Sequence, residues 1–221
     1  MAGTEPAAAS ELYFIWGAEA FLIDHKIKEI HHLMQEESGE EVELLYLDAD
    51  ELSPQRLLEE LEFSPLFSLQ RMVVIKRPSW LGKSKRKKGR NEEILKVLQN
   101  YLQQQNSGQT LVITAAEHNG SNALVKMLDK KATVMECRPA TPQYLANWIK
   151  DEFAARGRKI NAAAVSLIVK SGQDMYYLYN LIEKLCLSSE DKSISEKDIE
   201  GQLSSRDEIK VFKLTDALLE K

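Results

Sequence analysis

The segment LYFIWGAEAFLIDHKIKEIHHLM, residues 12–34, decides the fold class because its hydrophobic spacing changes at Gly17. The apolar run before this glycine is typical of a buried strand. After it, Ile23, Ile27, Ile30 and Met34 recur at intervals of four, three and four residues, which places them on one face of a helix. We therefore predict a strand, a turn at Gly17 and an amphipathic helix.

The alternation of strand and helix patterns continues to about residue 139. Ser53 and Pro54 are typical of the N-cap and first turn of a second helix, whose inner face we assign to Leu57, Leu58 and Leu61. Strands alternating with helices favour an α/β fold with a parallel sheet and right-handed crossovers. Further strands are predicted at residues 43–47, 71–76, 109–114 and 132–136, with further helices at about 94–102 and 121–130.

The strand pattern stops at residues 138–142, RPATP, whose prolines cannot continue a sheet. Beyond them the spacing is helical, so we predict an α/β domain over residues 1–139 and a small all-α bundle over 140–207. Residues 208–221 are apolar around most of a helix circumference, which requires partners on several faces. We expect this last segment to begin a third domain that the sequence does not complete.

Composition excludes several classes of protein. The 221 residues carry a net charge of −5 and are 43% hydrophobic, which is typical of a globular chain and unlike a disordered or collagenous one. No apolar run approaches the length needed to span a bilayer, and residues 1–10 lack the pattern of a secretory signal. Cys137 and Cys186 are too few for a disulfide framework or a zinc site. We expect a reducing, cytoplasmic setting.

The first strand-to-helix turn lacks the residues of a nucleotide site. A phosphate loop reads G-x-x-x-x-G-K-[ST], whereas residues 17–24 read GAEAFLID, without lysine, serine or threonine. Glu19 would repel phosphate, and Phe21, Leu22 and Ile23 fill the positions where backbone amides should be exposed. We interpret this segment as a plain turn; an ATP-binding domain with an unusual phosphate site is the alternative.

Histidine and acidic residues form no catalytic pattern either. His25, His31, His32 and His118 do not have the spacing of a ligand set, and we interpret them as solvated helix residues. Asp48 and Asp50 follow the second strand, where we interpret them as part of the approach to the next helix. We expect no catalysis by this chain alone, no cofactor and no metal.

A basic run gives the sequence its strongest charge asymmetry. Residues 71–90 contain nine lysines and arginines and no acid. Such a run can neutralise phosphates and bind DNA, or it can be a solvated loop kept open by self-repulsion. The second interpretation is favoured because no aromatic residue is interleaved within residues 83–90 for base stacking, and Trp80 lies just before them. The residues at the centre of the run are Lys83, Lys85, Arg86, Lys87, Lys88 and Arg90.

The segment SPLFS, residues 64–68, places two large apolar residues between serines. Pro65 fixes its own φ and could begin a short helical turn. If Leu66 and Phe67 are held at a domain tip, they form an exposed apolar plug, and such patches usually mark an interaction site. Alternatively both side chains lie in the core of the sheet. The spacing does not decide between the two.

Four segments taken in order resemble the delta subunit family of bacterial DNA polymerase III, over about residues 10–221. They are YFIWGAEAFLI at 13–23, SPLFSLQRMVVI at 64–75, LIEKL at 181–185 and VFKLTDALL at 211–219. The resemblance implies an AAA+-like ATPase domain without its P-loop, then a lid-like helical domain and a C-terminal collar domain. By this resemblance the collar would lie beyond the present sequence.

The resemblance also implies a function. Members of the family act in the sliding-clamp loader, where a Leu-Phe pair inserts into a hydrophobic pocket of the ring-shaped beta clamp. Leu66 and Phe67 match that pair by position, next to Pro65, whereas some members have a further apolar residue just before the pair. ATP would act in other subunits, the ATPase subunits and delta-prime, which share the collar. The alternatives are a DNA-binding or an ATP-binding AAA+-type module.

Overall fold

The computed structural model describes residues 11–48, 50–62, 70–82, 88–103, 109–188, 193–199 and 202. The chain divides into two compact units, Met1–Pro139 and Ala140–Lys221. Each unit is described by itself below. The predicted segment 208–221 lies outside the described residues.

A five-stranded parallel sheet forms the centre of the first unit, which confirms the predicted α/β class. The strand order is β2-β3-β4-β1-β5, so β1, β3 and β4 are internal and β2 and β5 are the edges. All five residues of β3 are buried, because helices cover both faces of the sheet. The strands are β1 Leu12–Trp16, β2 Glu43–Leu47, β3 Arg71–Ile75, β4 Thr110–Ala115 and β5 Thr133–Glu136.

Alternate residues of the strands build two separate cores. Val73 and Ile75 of β3 belong to one cluster, whereas Met72 and Val74 belong to the other, as expected for side chains that alternate across a sheet. The apolar stripe of α1 packs on the second cluster, and α2, α3 and α4 pack on the first. These helices are α1 Ala20–Ser38, α2 Pro54–Glu62, α3 Lys88–Gln103 and α4 Ala123–Lys131, and a 3₁₀ turn spans Ser79–Leu81.

Helix α2 corrects one prediction. Leu57 and Leu61 are buried against the sheet, but Leu58 is 38% exposed, so its assignment to the inner face is wrong. Consecutive helical residues point about 100° apart, and the buried residues of α2 are Leu57 and Leu61. The predicted start is confirmed, since the Ser53 hydroxyl accepts from the Arg56 amide at 3.2 Å.

Helix α4 begins two residues later than the predicted start at Ser121. The Asn122 side chain accepts from the Leu124 amide at 2.9 Å and therefore acts as the N-cap. Ser121 lies in the preceding turn, where its hydroxyl donates to the Asn119 side chain at 2.6 Å.

The second unit is mainly helical, as predicted, and adds one feature that the sequence analysis did not include. Residues Lys159–Ile160 and Ser193–Ile194 form a short parallel pair, β6 and β7. Thr141 and Asp174 cap α5 and α7, where their side chains accept from the amides of Tyr144 and Tyr177. The helices are α5 Pro142–Ala155, α6 Ala162–Lys170, α7 Met175–Ser188 and α8 Glu196–Ile199.

Candidate functional site

The predicted site residues fall mainly outside the part of the chain that the structure describes. Pro65, Leu66 and Phe67 lie outside it, as do the four basic residues Lys83, Lys85, Arg86 and Lys87. Lys88 and Arg90 belong to the first turn of α3. The structure therefore describes the residues on either side of segments 63–69 and 83–87 rather than the segments themselves.

The segment 63–69 joins the end of α2 to the start of β3 at the amino edge of the sheet. Helix α2 ends at Glu62, and the carbonyl of Gln70 accepts from the Glu43 amide at 3.0 Å before β3 begins at Arg71. The turn after β1, where a phosphate loop would lie, is at the opposite, carboxyl edge. The residues on either side of segment 63–69 and the turn after β1 thus lie at opposite edges of one sheet.

Buried Arg71 ties the two ends of this segment together. Its Nη2 lies 2.8 Å from Glu60 Oε2, and its Nη1 donates to the Glu60 carbonyl at 3.3 Å. Its Nε lies 3.2 Å from Glu43 Oε2 at the start of β2. The Arg71 side chain is only 6% exposed, so its guanidinium is largely desolvated, whereas Glu60 is 22% exposed and Glu43 is 53% exposed.

Gln109, the residue just before β4, supports the same helix end. Its Nε2 donates to the Leu61 carbonyl at 2.7 Å and to the Glu60 carbonyl at 3.3 Å. The last carbonyls of a helix have no partner within the helix, and buried ones require donors from elsewhere. Arg71 and Gln109 supply those donors, so the end of α2 is fixed to the amino ends of β3 and β4. We call Arg71, Gln109, Glu60 and Glu43 the amino-edge network.

At the carboxyl edge, the turn after β1 is closed by the end of β5. Gly17 has a φ of 151°, and a Cβ there would lie 2.0 Å from the Cys137 carbonyl oxygen. The Gly17 amide donates to Ala115 O at 3.0 Å, and the Cys137 amide donates to Trp16 O at 2.7 Å. Glycine is needed at this position because the backbone of β5 approaches too closely for any side chain.

The N-terminus of α1 is occupied by the chain's own carboxylate. Glu19 is the N-cap, and its Oε1 accepts from the Phe21 amide at 3.3 Å. Phe21 and Ile23 are buried, as their apolar character predicted. A helix N-terminus favours an anion, and here the anion is Glu19 rather than a phosphate.

Two basic residues directly follow β3, and they bear on whether the carboxyl edge could hold a nucleotide. P-loop NTPases hold Mg²⁺ with a phosphate-loop hydroxyl and a Walker-B aspartate. In this chain the apolar run of β3 is followed by Lys76 and Arg77, and Lys76 Nζ forms an ion pair with Asp24 at 2.9 Å. The Arg77 amide, at a φ of 38°, donates to Thr114 Oγ1 at 2.8 Å. The pair Lys76-Arg77 could have been recognised from the sequence, because two basic residues after the strand are unlike the acidic residue that holds Mg²⁺.

The acidic residues after β2 satisfy local turns. Asp48 Oδ1 accepts from the Asp50 amide at 3.0 Å, and the Asp50 carboxylate accepts from the Ser79 amide and from its hydroxyl at 2.8 Å. These contacts fit the interpretation of both residues as structural. Across the described ranges, no group of three histidine, cysteine or acidic residues is arranged to hold a metal ion.

Two of the four histidines do not fit the interpretation as solvated helix residues. His118 lies between β4 and α4, where its Nε2 is 2.9 Å from Asp129 Oδ1 and its ring lies 5.1 Å from that of Trp16. His31 Nε2 lies 2.8 Å from the Val42 carbonyl, which ties α1 to the start of β2. His25 and His32 pair with glutamates one turn along α1. All four therefore have structural contacts.

The backbone just before residues 83–90 is fixed at the carboxyl edge. Asn119 Nδ2 donates to the carbonyls of Leu81 and Gly82 at 3.4 and 3.3 Å, and Asn122 Nδ2 donates to Trp80 O at 3.2 Å. Two of the nine basic residues in 71–90 make contacts within the first unit: Arg71 is buried against Glu60, and Lys76 is paired with Asp24.

Comparisons with known proteins agree with this fold. A family model described as DNA polymerase III, delta subunit, matches residues 13–138, more than half of the chain. The DNA polymerase III subunit delta of Bacillus subtilis (strain 168) is 23% identical over 217 residues, which cover 95% of this chain and 61% of that protein. The chain therefore spans about three fifths of the length of this curated relative.

Solved structures show the same architecture. The Bacillus subtilis DNA clamp loader delta protein has a TM-score of 0.67 at 20% identity, covering 96% of this chain and 63% of that chain. Domain III of the Thermotoga maritima replication initiation protein DnaA has a TM-score of 0.53 at 12% identity, covering 85% and 80%. In the described part of this chain, no helix is long and apolar enough to cross a membrane. From the family match over the α/β unit and the shared fold, we conclude that this chain belongs to the DNA polymerase III delta subunit family.

Proposed function

We propose that this chain binds the ring-shaped beta sliding clamp through Leu66 and Phe67, flanked by Pro65, and favours the open clamp for loading onto primed DNA. Membership of the delta family supports the proposal. The observation that carries it in the structure is the amino-edge network, which holds both ends of residues 63–69 at one edge of the sheet. The proposed role is non-catalytic and belongs to replication in the cytoplasm.

The size of the hydrophobic contribution limits what this pair can do alone. Burying a leucine and a phenylalanine side chain contributes about 1.5–3 kcal/mol each. The sum, about 3–6 kcal/mol, corresponds to weak binding without other contacts. A tight complex therefore needs a wider rim of contacts around the two anchors.

Opening the clamp in this way does not require ATP hydrolysis by this subunit. A subunit that binds the open ring more tightly than the closed ring shifts the population toward the open form by the difference in affinity. The Glu19 cap, the close approach of Cys137 to Gly17 and the Lys76–Asp24 pair support a subunit without nucleotide chemistry. ATP would then act in other loader subunits, the ATPase subunits and delta-prime, which we propose as further partners.

A direct binding assay with the purified beta clamp tests the proposal. We expect Leu66→Ala with Phe67→Ala to weaken clamp binding at least about 100-fold, from the loss of the hydrophobic contribution above. Leu58→Ala is the matched control, since Leu58 is an exposed leucine on the neighbouring helix α2. The circular dichroism spectrum and melting temperature of the double variant should match those of the parent chain. Unchanged clamp affinity in the double variant would refute the assignment.

A second function is favoured by the position of the basic run. The side chains of Asn119 and Asn122 fix the backbone of residues 80–82, from which residues 83–90 continue. We propose that this run contacts the phosphate backbone of the DNA being loaded. Contacts of this kind weaken as salt rises, because binding releases condensed counterions. The residues are Lys83, Lys85, Arg86, Lys87, Lys88 and Arg90.

Neutralising these six residues to glutamine should lower DNA affinity and flatten its dependence on salt concentration. The matched control neutralises six exposed lysines elsewhere, and its DNA affinity should fall less. Equal losses in the two variants would indicate a general charge effect and contradict the second function. The control lysines are Lys126, Lys130, Lys150, Lys159, Lys170 and Lys184.

A further inference from the structure

The amino-edge network has the geometry of a support for the segment 63–69. Glu60 lies three residues before that segment, Arg71 lies two residues after it, and their side chains meet at 2.8 Å. The chain between them is therefore closed into a loop by an ion pair whose arginine is buried and whose glutamate is partly exposed. A second bond from Arg71 reaches the Glu60 backbone carbonyl, so the contact fixes the helix end as well as the carboxylate.

The amino-edge network is not explained by a contribution to folding stability alone. Desolvating an arginine and a carboxylate often costs as much as their attraction returns, and apolar replacements can be as stable. The Arg71 side chain is 6% exposed and that of Glu60 is 22% exposed. Such a network instead gives one defined geometry, because the planar guanidinium accepts only a few arrangements of its partners.

Based on the proposed clamp-binding function, we propose that Arg71 and Gln109 are positioning residues for it. They fix the end of α2 and the start of β3, so the intervening segment meets the clamp with less conformational freedom to lose. Closing a loop and ordering its side chains before binding lowers the entropic cost of the complex. Neither residue is expected to touch the clamp, because both are buried inside the first unit.

The test compares Arg71→Met with Arg156→Met in the 221-residue chain. Arg156 is a matched control because it also reaches a glutamate carboxylate and the carbonyl of the same residue, Glu152, but in the second unit. Three quantities are measured for each variant: clamp affinity, the free energy of unfolding, and amide hydrogen exchange within residues 63–69 of the free chain. Arg71→Lys tests rescue by a residue that keeps the charge but lacks the planar fork.

We expect Arg71→Met to weaken clamp binding about tenfold and to speed exchange within residues 63–69, while the amides of β4 and β1 keep their protection. Arg71→Lys should recover part of both losses. Arg156→Met should leave clamp affinity and exchange of residues 63–69 unchanged, whatever it does to stability. If Arg71→Met and Arg156→Met give the same affinity and exchange, the positioning role is overturned.

Gln109→Leu keeps the proposal testable if Arg71→Met does not fold. It removes the donor to the Glu60 and Leu61 carbonyls but leaves the ion pairs of Arg71 in place. We expect faster exchange within residues 63–69 and a severalfold loss of clamp affinity; parent-like values for both would overturn the proposal.

The outcomes also separate this inference from the proposed function. If Leu66→Ala with Phe67→Ala leaves clamp binding intact, the proposed function fails, and the positioning role for it fails too, even when Arg71→Met speeds exchange. If the double variant loses binding while Arg71→Met and Gln109→Leu behave like the parent chain, only the positioning role fails.

Discussion

The two edges of the central sheet differ in what their polar side chains hold in place. At the carboxyl edge, groups that could face a ligand are satisfied by the chain itself: Glu19 caps α1, Lys76 pairs with Asp24, and the Arg77 amide donates to Thr114. At the amino edge, Arg71 and Gln109 are buried and directed to the end of α2, next to residues 63–69. The comparison teaches that side chains give the two edges of one parallel sheet different contacts: at the carboxyl edge they close the turns after the strands, and at the amino edge they hold a helix end.

The largest effect expected at the carboxyl edge comes from Gly17→Ala. Its Cβ would lie 2.0 Å from the Cys137 carbonyl oxygen, so the end of β5 would have to move. We expect the free energy of unfolding to fall by about 3 kcal/mol or more, as for other substitutions that strain a special backbone position. Denaturant unfolding measures it; a loss below about 1 kcal/mol would show that this edge is less closely packed than its geometry indicates.

Leu57→Ala should have the next largest effect and sharpens the description of the amino edge. Leu57 lies on the buried face of α2, and replacing it with alanine should lower the free energy of unfolding by about 2–5 kcal/mol. Leu58→Ala, on the exposed side of the same helix, should cost less than about 1 kcal/mol. Equal losses in the two variants, measured by urea unfolding, would contradict the orientation of α2 on which the amino-edge network depends.

Asn122→Ala should cost about 1 kcal/mol, the usual value of an N-cap. The same substitution removes the donor to Trp80 O, just before residues 83–90. Amide exchange at residues 81 and 82 should therefore rise as well. Ser121→Ala is the control, because Ser121 does not cap α4. A stability loss without any local change in exchange would show that Asn122 serves α4 alone.

Glu29 tests a smaller electrostatic effect away from both edges. A hydrogen bond from His25 holds the pKa of the Glu29 carboxyl at about 2, below its ordinary value of 4.5. The folded state therefore gains stability above pH 4.5 that is lost as the pH falls through about 2. Because the side chain is 43% exposed, the gain should stay below about 1 kcal/mol.

Unfolding of the parent chain and of Glu29→Gln, at pH 5 and at pH 2, measures this contribution. The stability difference between the two should be largest at pH 5 and should be mostly lost at pH 2. A difference that grows on acidification would have the wrong sign for a depressed pKa.

ATP with Mg²⁺ should have no effect on the melting temperature. A ligand present at about 100 times its dissociation constant would stabilise the folded state by about 2.7 kcal/mol, which a thermal shift readily detects. A saturable shift with millimolar ATP would break the contrast between the two edges and favour the alternative of an ATP-binding module.

The fold was predictable because its signals are local. The change of period at Gly17, the stripe of α1 and the apolar run of β3 each lie within a short window and report burial directly. Small errors arose where one contact decides an orientation, as for Leu58, or where a cap decides a boundary, as for Asn122. The short β6–β7 pair was missed because two-residue strands carry no period.

The surroundings of the candidate site were not predictable in the same way. Arg71 belongs by sequence to a basic run, yet its partners are Glu43 and Glu60, which only the folded sheet brings to it. Gln109 has no sequence signal at all, since its role depends on carbonyls 48 and 49 residues away. Whether Leu66 and Phe67 are exposed stays a prediction, because both lie outside the described residues.

The short turn after β1 has an evolutionary consequence. Residues 17–19 are all that separate Trp16 from the first turn of α1, fewer than the spacing between the two glycines of a phosphate loop. Point mutations that placed lysine and threonine here would still leave too little backbone to surround a phosphate. We expect that a descendant of this protein could bind nucleotide at this turn only after an insertion that lengthens it.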